Sequence, residues 1–154
     1  MARWADVERE VPELAAAAQR YLEARGHRTI ATLRADGSPR ISGTELRFHD
    51  GDLWFGSMYR SNKALDLLRD PRFALHSGSD EPDVWTGDAT ASGTVEEADA
   101  ARITEIYGQA PPGPSHLFRA DVTEVTVVTL AEARDHLILE SWVAGRGYRR
   151  RTRT

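Results

Sequence analysis

The chain has 154 residues, of which 40% are hydrophobic and 29% charged, a composition typical of one globular domain over residues 1–154. Its net charge of −4 provides no overall attraction to nucleic acid or to an anionic membrane, and no apolar stretch approaches the ~20 residues of a membrane span. The absence of cysteine excludes disulfides and thiolate chemistry, and with an N-terminus that lacks a signal-peptide core it predicts a cytoplasmic protein.

The first half of the sequence predicts one helix and three strands. Val11 to Arg25 has apolar residues at helical spacing, Pro12 suits its first turn, and Gly26 suits its end. Three β-rich segments, separated by two Asp-Gly turns, run from His27 to Leu33, from Pro39 to Phe48 and from Asp52 to Ser57. We expect these strands to form an antiparallel meander.

A polar and basic cluster follows the third strand and precedes a second helix, from Asn62 to Arg69, which ends before Pro71. The cluster consists of Ser57, Tyr59, Arg60, Ser61, Asn62 and Lys63. Free backbone N–H groups and the positive end of the helix dipole favour an anion such as phosphate at this junction. The alternative is ordinary helix capping by Ser61 or Asn62, with the basic side chains in solvent.

The second half of the sequence predicts four strands, a third helix and a basic tail. The strands run from Phe73 to Ser77, from Val84 to Val95, from Leu117 to Leu130 and from His136 to Val143. The helix runs from Glu96 to Tyr107, and the tail, residues 145–154, contains five arginines. Six or seven strands joined mostly by turns predict a mainly β, α+β fold, an antiparallel barrel with about three peripheral helices.

Other side chains point less clearly to a ligand. Ser42 and Thr44 share one face of a strand, which suits either a polar ligand site or an ordinary edge strand. The strand tryptophans, Trp54, Trp85 and Trp142, are more typical of core or interface positions than of cofactor stacking. The five histidines lack metal-ligand spacing, so we expect no metal site. The arginine tail is more typical of a solvated terminus than of a nucleic-acid site, and we expect no nucleic-acid partner.

Seven segments occur in an order that is typical of one known family. They are Thr29–Leu33, Asp36–Ser42, Leu53–Ser57, Arg60–Ala64, Leu67–Leu75, Leu137–Trp142 and Gly145–Gly147. With them the chain resembles the pyridoxamine 5′-phosphate oxidase-like family of split β-barrel flavoproteins. In the larger members a basic pair precedes the helix, whereas Asn62 precedes Lys63 here, which favours a small member of the family.

The resemblance implies a split barrel that forms a homodimer with a flavin at the subunit interface. The implied cofactor is FMN or the 8-hydroxy-5-deazaflavin coenzyme, and some small members hold haem. The implied phosphate contacts are Lys63, Ser61, Asn62 and Arg60, the contacts beside the ring or ribityl chain are Ser57, Met58 and Tyr59, and the backbone and hydroxyl contacts are Ile41, Ser42, Gly43 and Thr44. The second subunit is expected to contribute Trp142 or Arg146.

The resemblance further implies an oxidoreductase whose cofactor carries hydride to or from a small molecule. No side chain has to act as an acid or base in that transfer, so no catalytic residue is named. The alternative is a non-catalytic carrier or sensor on the same barrel, which binds flavin or haem. With haem, His76 or His116 is the expected ligand.

Overall fold

An antiparallel sheet dominates the computed structural model, which describes residues 2–154. Its strands are β1 (Arg28–Leu33), β2 (Pro39–Thr44), β3 (Leu46–His49), β4 (Asp52–Met58), β5 (Arg72–His76), β6 (Gly87–Ala98), β7 (Ser115–Leu130), β8 (Leu137–Val143) and β9 (Gly147–Arg153). The helices are α1 (Trp4–Glu10), α2 (Pro12–Glu23), α3 (Asn62–Arg69) and α4 (Ile103–Tyr107), and a 3₁₀ turn (Ala100–Arg102) precedes α4. The predicted class, mainly β with peripheral helices, is confirmed, although residues 2–154 form nine strands rather than six or seven. None of the helices in this part of the chain is long and apolar enough to cross a membrane.

Seven strands follow one another across the sheet in the order β2-β1-β5-β6-β7-β4-β3. The sheet curls into a barrel that is not closed, with β2 and β3 at its two ends and a single residue, Glu45, between them in the chain. Both antiparallel pairings of the predicted meander, β1 with β2 and β3 with β4, are confirmed. The return strand expected over residues 39–48 divides at Glu45, because β2 pairs with β1 while β3 pairs with β4.

The longest strand, β7, connects the barrel to a C-terminal hairpin. The first half of β7 pairs with β4, and the second half pairs with β8. On its other edge, β7 pairs with β6 along nearly its whole length. β9 continues the sheet beyond β8, and Tyr148 lies opposite Trp142. The prediction that residues 145–154 form a solvated terminus is therefore wrong for the backbone, because β9 is hydrogen-bonded to β8. The arginine side chains of β9 are exposed, as expected.

Two predicted helices differ from the observed ones. The helix expected from Glu96 to Tyr107 is only partly present, because β6 continues to Ala98 and its last residues pair with β7. That pairing satisfies the backbone N–H and C=O groups and overrides the helix preference of Glu and Ala. The helix expected over residues 11–25 is shortened to α2, and it is preceded by α1, a helix that was not predicted.

The inner face of the sheet forms the core together with α1, α2 and α3. The Phe55 and Phe73 rings meet edge to face at 5.4 Å between centres, and Phe118 lies next to Phe55. Trp4 of α1 and Leu22 of α2 are fully buried against these strands. Each large apolar side chain buried in this way contributes roughly 1.5–3 kcal/mol to folding.

The opposite face of the sheet, here called the outer face, is exposed or half-exposed from β2 to β9. The strand register arranges a mixture of short, apolar and charged side chains in rows across it: Ile41, Ala31, Ala74, Ser92 and Glu124; His76, Thr90, Thr126 and Ser141; and Asp88, Val128 and Leu139. Arg149, Arg151 and Arg153 on β9 end the outer face. Ile41 leaves 74% of its surface exposed, which is unusual for a strand isoleucine. Ile41 is therefore the exposed apolar residue of an otherwise mixed face.

Candidate functional site

Ser61 caps α3 where the chain leaves β4. Its Oγ accepts a hydrogen bond from the Ala64 N–H at 3.3 Å and lies 2.5 Å from the Ser57 Oγ. Two hydroxyls therefore meet beside the first turn of the helix, where backbone N–H groups lack helical partners. The capping role of Ser61 is confirmed, and it is compatible with an anion at the same helix end.

Lys63, in the first turn of α3, reaches across to β2. Its Nζ donates a hydrogen bond to the Gly43 carbonyl oxygen at 2.7 Å. Burial lowers the pKa of the Lys63 ammonium group, and the negative charge of Glu45 offsets this only in part. Within residues 2–154, no carboxylate oxygen lies within 4.0 Å of the Lys63 Nζ. The side chain is therefore a cation whose contact in this part of the chain is a neutral carbonyl group.

These groups line a cleft of about 450 Å³, within the ~300–1,000 Å³ typical of small-molecule sites. The predicted site residues that line it are Gly43, Thr44, Ser57, Met58, Ser61 and Lys63. The other lining residues were not expected from the sequence as ligand contacts. They are Ile103, Tyr107, Gln109, Ala110, Pro111 and Pro112, from α4 and the loop after it, together with His27, Glu45, Gly56 and Ser115.

Tyr107 fixes the position of the loop that follows α4. Its hydroxyl accepts a hydrogen bond from the Gly56 N–H at 2.9 Å and donates one to the Glu45 carbonyl oxygen at 3.0 Å. Burial raises the pKa of Tyr107 to about 12, so the phenol is protonated at neutral pH. The proline-rich stretch Ala110–Pro114 is the one sequence signal that marks this wall of the cleft.

His116 holds the turn between β4 and α3. Arg60 in that turn has a φ of 56°, a left-handed conformation that costs a non-glycine residue roughly 1–2 kcal/mol. The Arg60 N–H donates to the His116 Nε2 at 3.2 Å, and the His116 Nδ1 lies 2.7 Å from a Glu97 carboxylate oxygen. The Tyr59 ring stacks on the imidazole at 5.2 Å. Tyr59 and Arg60, both expected to contact a cofactor, therefore shape the turn and do not line the cleft.

Five further expected contacts also lie outside the cleft. Ile41, Asn62 and Arg146 are exposed, and Ile41 belongs to the outer face. The Ser42 Oγ is buried and has no hydrogen-bond partner within residues 2–154. Trp142 is 1% exposed, and its indole N–H donates to a carboxylate of α1 at 2.7 Å. A side chain so deeply buried has no surface for a second subunit, so we do not retain Trp142 as a cofactor contact.

Neither histidine named for the haem alternative lines the cleft. The His76 Nδ1 accepts a hydrogen bond from the Gly78 N–H at 2.9 Å, and His116 is buried beneath the turn described above. His27 does line the cleft, and its Nε2 lies 3.7 Å from the Glu45 carboxylate. A haem ligand would therefore have to be sought at His27.

One group of side chains away from the cleft has the spacing of metal ligands. Ligand atoms of His49, Asp50 and Glu105 lie within 4.8 Å of one another. The Arg102 guanidinium lies 3.5 Å from the Glu105 carboxylate, where its positive charge opposes a second cation.

Asp66 fixes α3 against β1 and β2. Its carboxylate accepts hydrogen bonds from the Arg40 Nε at 2.7 Å, the Thr32 Oγ1 at 2.8 Å and the Arg69 Nη2 at 3.0 Å. Burial raises the pKa of this carboxyl group, but the three donors outweigh burial and hold the pKa below its ordinary value. The helix that presents Ser61 to the cleft is thereby tied to the sheet.

Three solved structures show the same fold. A pyridoxamine 5′-phosphate oxidase-related, FMN-binding protein from Nostoc punctiforme is 16% identical, with a TM-score of 0.61 over 90% of this chain and 94% of its own. PhzG from Burkholderia lata, solved in complex with tetrahydrophenazine-1-carboxylic acid, is 12% identical, with a TM-score of 0.66 over 93% and 89%. General Stress Protein 26 from Bacillus anthracis is 14% identical, with a TM-score of 0.59 over 73% and 91%. At these identities the likeness establishes the fold alone.

No curated protein matches the sequence. The family model for pyridoxamine 5′-phosphate oxidase matches residues 14–130, which make up most of the chain. That range includes β1 to β7, α3, α4 and every residue that lines the cleft. The chain therefore belongs to the pyridoxamine 5′-phosphate oxidase family, as the order of its sequence segments predicted.

Proposed function

We propose that this chain is a cytoplasmic, flavin-dependent oxidoreductase that binds FMN in the cleft and exchanges hydride with a small molecule. The observation that supports this most directly is that the cleft combines a polar and an apolar lining. Ser57, Ser61 and Lys63 supply hydroxyl groups and a cation, which suit a phosphate. Met58 and Ile103 supply apolar surface, which suits a planar ring system.

The donor set of the cleft fits the phosphate of FMN. Lys63 has three N–H donors, of which its contact with Gly43 uses one. The Ser57 and Ser61 hydroxyls lie close enough to contact one phosphate together. The FMN-binding relative from Nostoc punctiforme supports FMN ahead of the deazaflavin coenzyme, which remains the first alternative.

The bound flavin would supply the hydride chemistry, and the chain would supply binding and orientation. Ser61 and Lys63 would hold the phosphate end, and the loop fixed by Tyr107 would exclude water from the ring. The Tyr107 hydroxyl is occupied by two backbone groups and stays protonated at neutral pH, so we assign it a positioning role. We assign proton transfer to no residue.

We further propose that the outer face forms a homodimer and that the flavin lies at its interface. Gly43 pairs with Thr29 on the outer face and also lines the cleft, so a second copy on this face would border the cofactor. The side chains of Ala31, Ala74 and Thr90 are short, which allows two sheets to approach closely. Arg146, exposed in the turn before β9, is the residue of the second subunit that we retain as a contact.

A titration of the purified protein with FMN, the deazaflavin coenzyme and haem, followed by fluorescence and absorbance, tests the proposed cofactor. We expect FMN to bind and Lys63→Ala to weaken its binding about 10–100-fold, because a hydrogen bond to a charged group contributes ~1.5–3 kcal/mol. Lys63→Arg keeps the positive charge and should retain most of the affinity. Arg20→Ala removes an exposed cation of α2 away from the cleft and serves as the control.

Equal FMN affinity of Lys63→Ala and the wild type would contradict the phosphate assignment. Binding of the deazaflavin alone, or a Soret band with haem, would replace FMN as the cofactor. A flavin that binds but is not turned over with any reductant and acceptor would support the non-catalytic carrier instead.

A further inference from the structure

The single lysine of this chain lies in the cleft. Lysine and arginine together number 20, and Lys63 is the only lysine among them. Arginine guanidinium groups stay protonated and are not nucleophiles at neutral pH. The chain therefore has two amines that can react with an electrophile, the Lys63 Nζ and the N-terminal α-amino group.

The surroundings of Lys63 favour a reactive amine. The Nζ donates to the neutral Gly43 carbonyl group, and within residues 2–154 no carboxylate forms an ion pair with it. Burial lowers its pKa, which increases the fraction of neutral, nucleophilic amine at a given pH. The Ser57 and Ser61 hydroxyls, 2.5 Å apart, line the same cleft as the amine and can bind an anionic group there.

We propose that Lys63 is an acylation site that an acyl phosphate modifies when the cleft holds no cofactor. The Lys63 Nζ attacks the carbonyl carbon of the acyl phosphate and forms an amide C–N bond. The bond between that carbon and the phosphate oxygen breaks, inorganic phosphate leaves, and the amine releases its proton to solvent. Ser57 and Ser61 hold the phosphate group of the reagent, so one cleft contains both the leaving-group site and the nucleophile.

This inference rests on the proposed function for its consequence. Acylation converts the ammonium group into a neutral amide and removes the cation that would bind the FMN phosphate. An acylated chain would therefore bind FMN as weakly as Lys63→Ala, and bound FMN would protect Lys63. The cofactor-free and cofactor-loaded proteins would differ in their susceptibility to the modification.

Acetyl phosphate is the probe, and peptide mapping by mass spectrometry separates Lys63 from the N-terminus. We expect both amines of the cofactor-free protein to be acetylated. Inorganic phosphate or FMN, each at about ten times its Kd, leaves about one tenth of the clefts free. Acetylation of Lys63 should therefore slow about tenfold, whereas the rate of acetylation at the N-terminus should not change. Lys63→Arg should be acetylated at the N-terminus alone. Ser61→Ala should slow acetylation of Lys63 by acetyl phosphate but not by an uncharged N-hydroxysuccinimide ester.

Acetylation of the N-terminus without acetylation of Lys63 would overturn the proposal. A rate of Lys63 acetylation that changes neither with inorganic phosphate nor in Ser61→Ala would also overturn it. A protein that fails to bind FMN but is acetylated at Lys63, with protection by inorganic phosphate, would reject the proposed cofactor and leave the acylation site standing. The two proposals can therefore fail separately.

Discussion

At the scale of single residues, the buried carboxylate of Asp66 fixes the position of α3. Its side chain is 4% exposed and accepts hydrogen bonds from Arg40, Thr32 and Arg69. Replacing this carboxylate with a neutral group weakens all three hydrogen bonds, and a hydrogen bond to a charged group is worth about 1.5–3 kcal/mol. Its lowered pKa also makes stability depend on pH. The stability that such a carboxyl contributes is complete above its unfolded pKa, about 3.9, and is lost as the pH falls through the lower folded value.

We therefore expect Asp66→Asn to lower the free energy of unfolding by about 2 kcal/mol at pH 7. The variant should also lose less stability than the wild type as the pH falls below about 4. Urea unfolding at pH 7 and at several values between about pH 2 and 5 measures both effects. Asp135→Asn, which removes an exposed carboxylate beside His136, should match the wild type at pH 7. If Asp66→Asn loses stability as steeply as the wild type when the pH falls, other carboxyl groups cause the pH dependence.

His116 acts on the cleft through the turn that it supports. We expect His116→Ala to weaken FMN binding about fivefold, because the lost hydrogen bond to the Arg60 N–H is worth about 1 kcal/mol. His116→Gln has a side-chain oxygen that can accept the same hydrogen bond and should recover part of the affinity. FMN titration of the three proteins decides the matter. Unchanged affinity in His116→Ala would show that the turn keeps its shape without the imidazole.

At the scale of elements, the register of β6 against β7 shifts between Ser92 and Gly93, where β7 has one extra residue, Thr123. A Cβ atom at position 93 would lie 1.9 Å from the Asp121 carbonyl oxygen of β7. The Gly93 Cα atom and the Asp121 carbonyl group belong to the backbones of paired strands. Neither can move away from the other without breaking hydrogen bonds between β6 and β7. Only glycine therefore allows the two longest strands to approach this closely.

Gly93→Ala should lower the free energy of unfolding by at least about 3 kcal/mol, or prevent folding, because the overlap cannot relax. Gly113→Ala is the matched control, since a Cβ atom there meets nothing within 4 Å. Circular dichroism during urea unfolding compares the two variants with the wild type. Similar midpoints for all three proteins would show that the strands separate locally at little cost.

At the scale of the whole molecule, the outer face is the surface on which the proposed dimer depends. We expect the wild type to sediment as a dimer and Ile41→Lys to sediment as a monomer, because a charge buried without a partner opposes association. Ile41 is exposed in the single chain, so the substitution should not disturb folding. Leu68→Lys also replaces an exposed apolar residue, but on α3, which packs on the inner side of the sheet. A dimeric Ile41→Lys would exclude the outer face as the interface.

Features that depend on neighbouring residues were predictable. α3 has the predicted bounds, because its cap, its apolar spacing and the proline after it are local signals. Ser57, Ser61 and Lys63 line one cleft, because a short turn places the end of β4 beside the start of α3. The helix expected from Glu96 failed for the opposite reason, since pairing with a distant strand overrode its local preference.

The sequence by itself determined the family, the β-rich class and the polar, basic junction before α3, since each follows from short segments and their order. Only the tertiary structure decided which segments complete the cleft. Ile103 and Tyr107 face the Lys63 region because β6 and β7 return the chain to β4, and burial of Trp142 follows from packing against α1. Such contacts depend on how strands that are distant in the sequence pair across the whole sheet. A local stretch of sequence does not specify these long-range pairings.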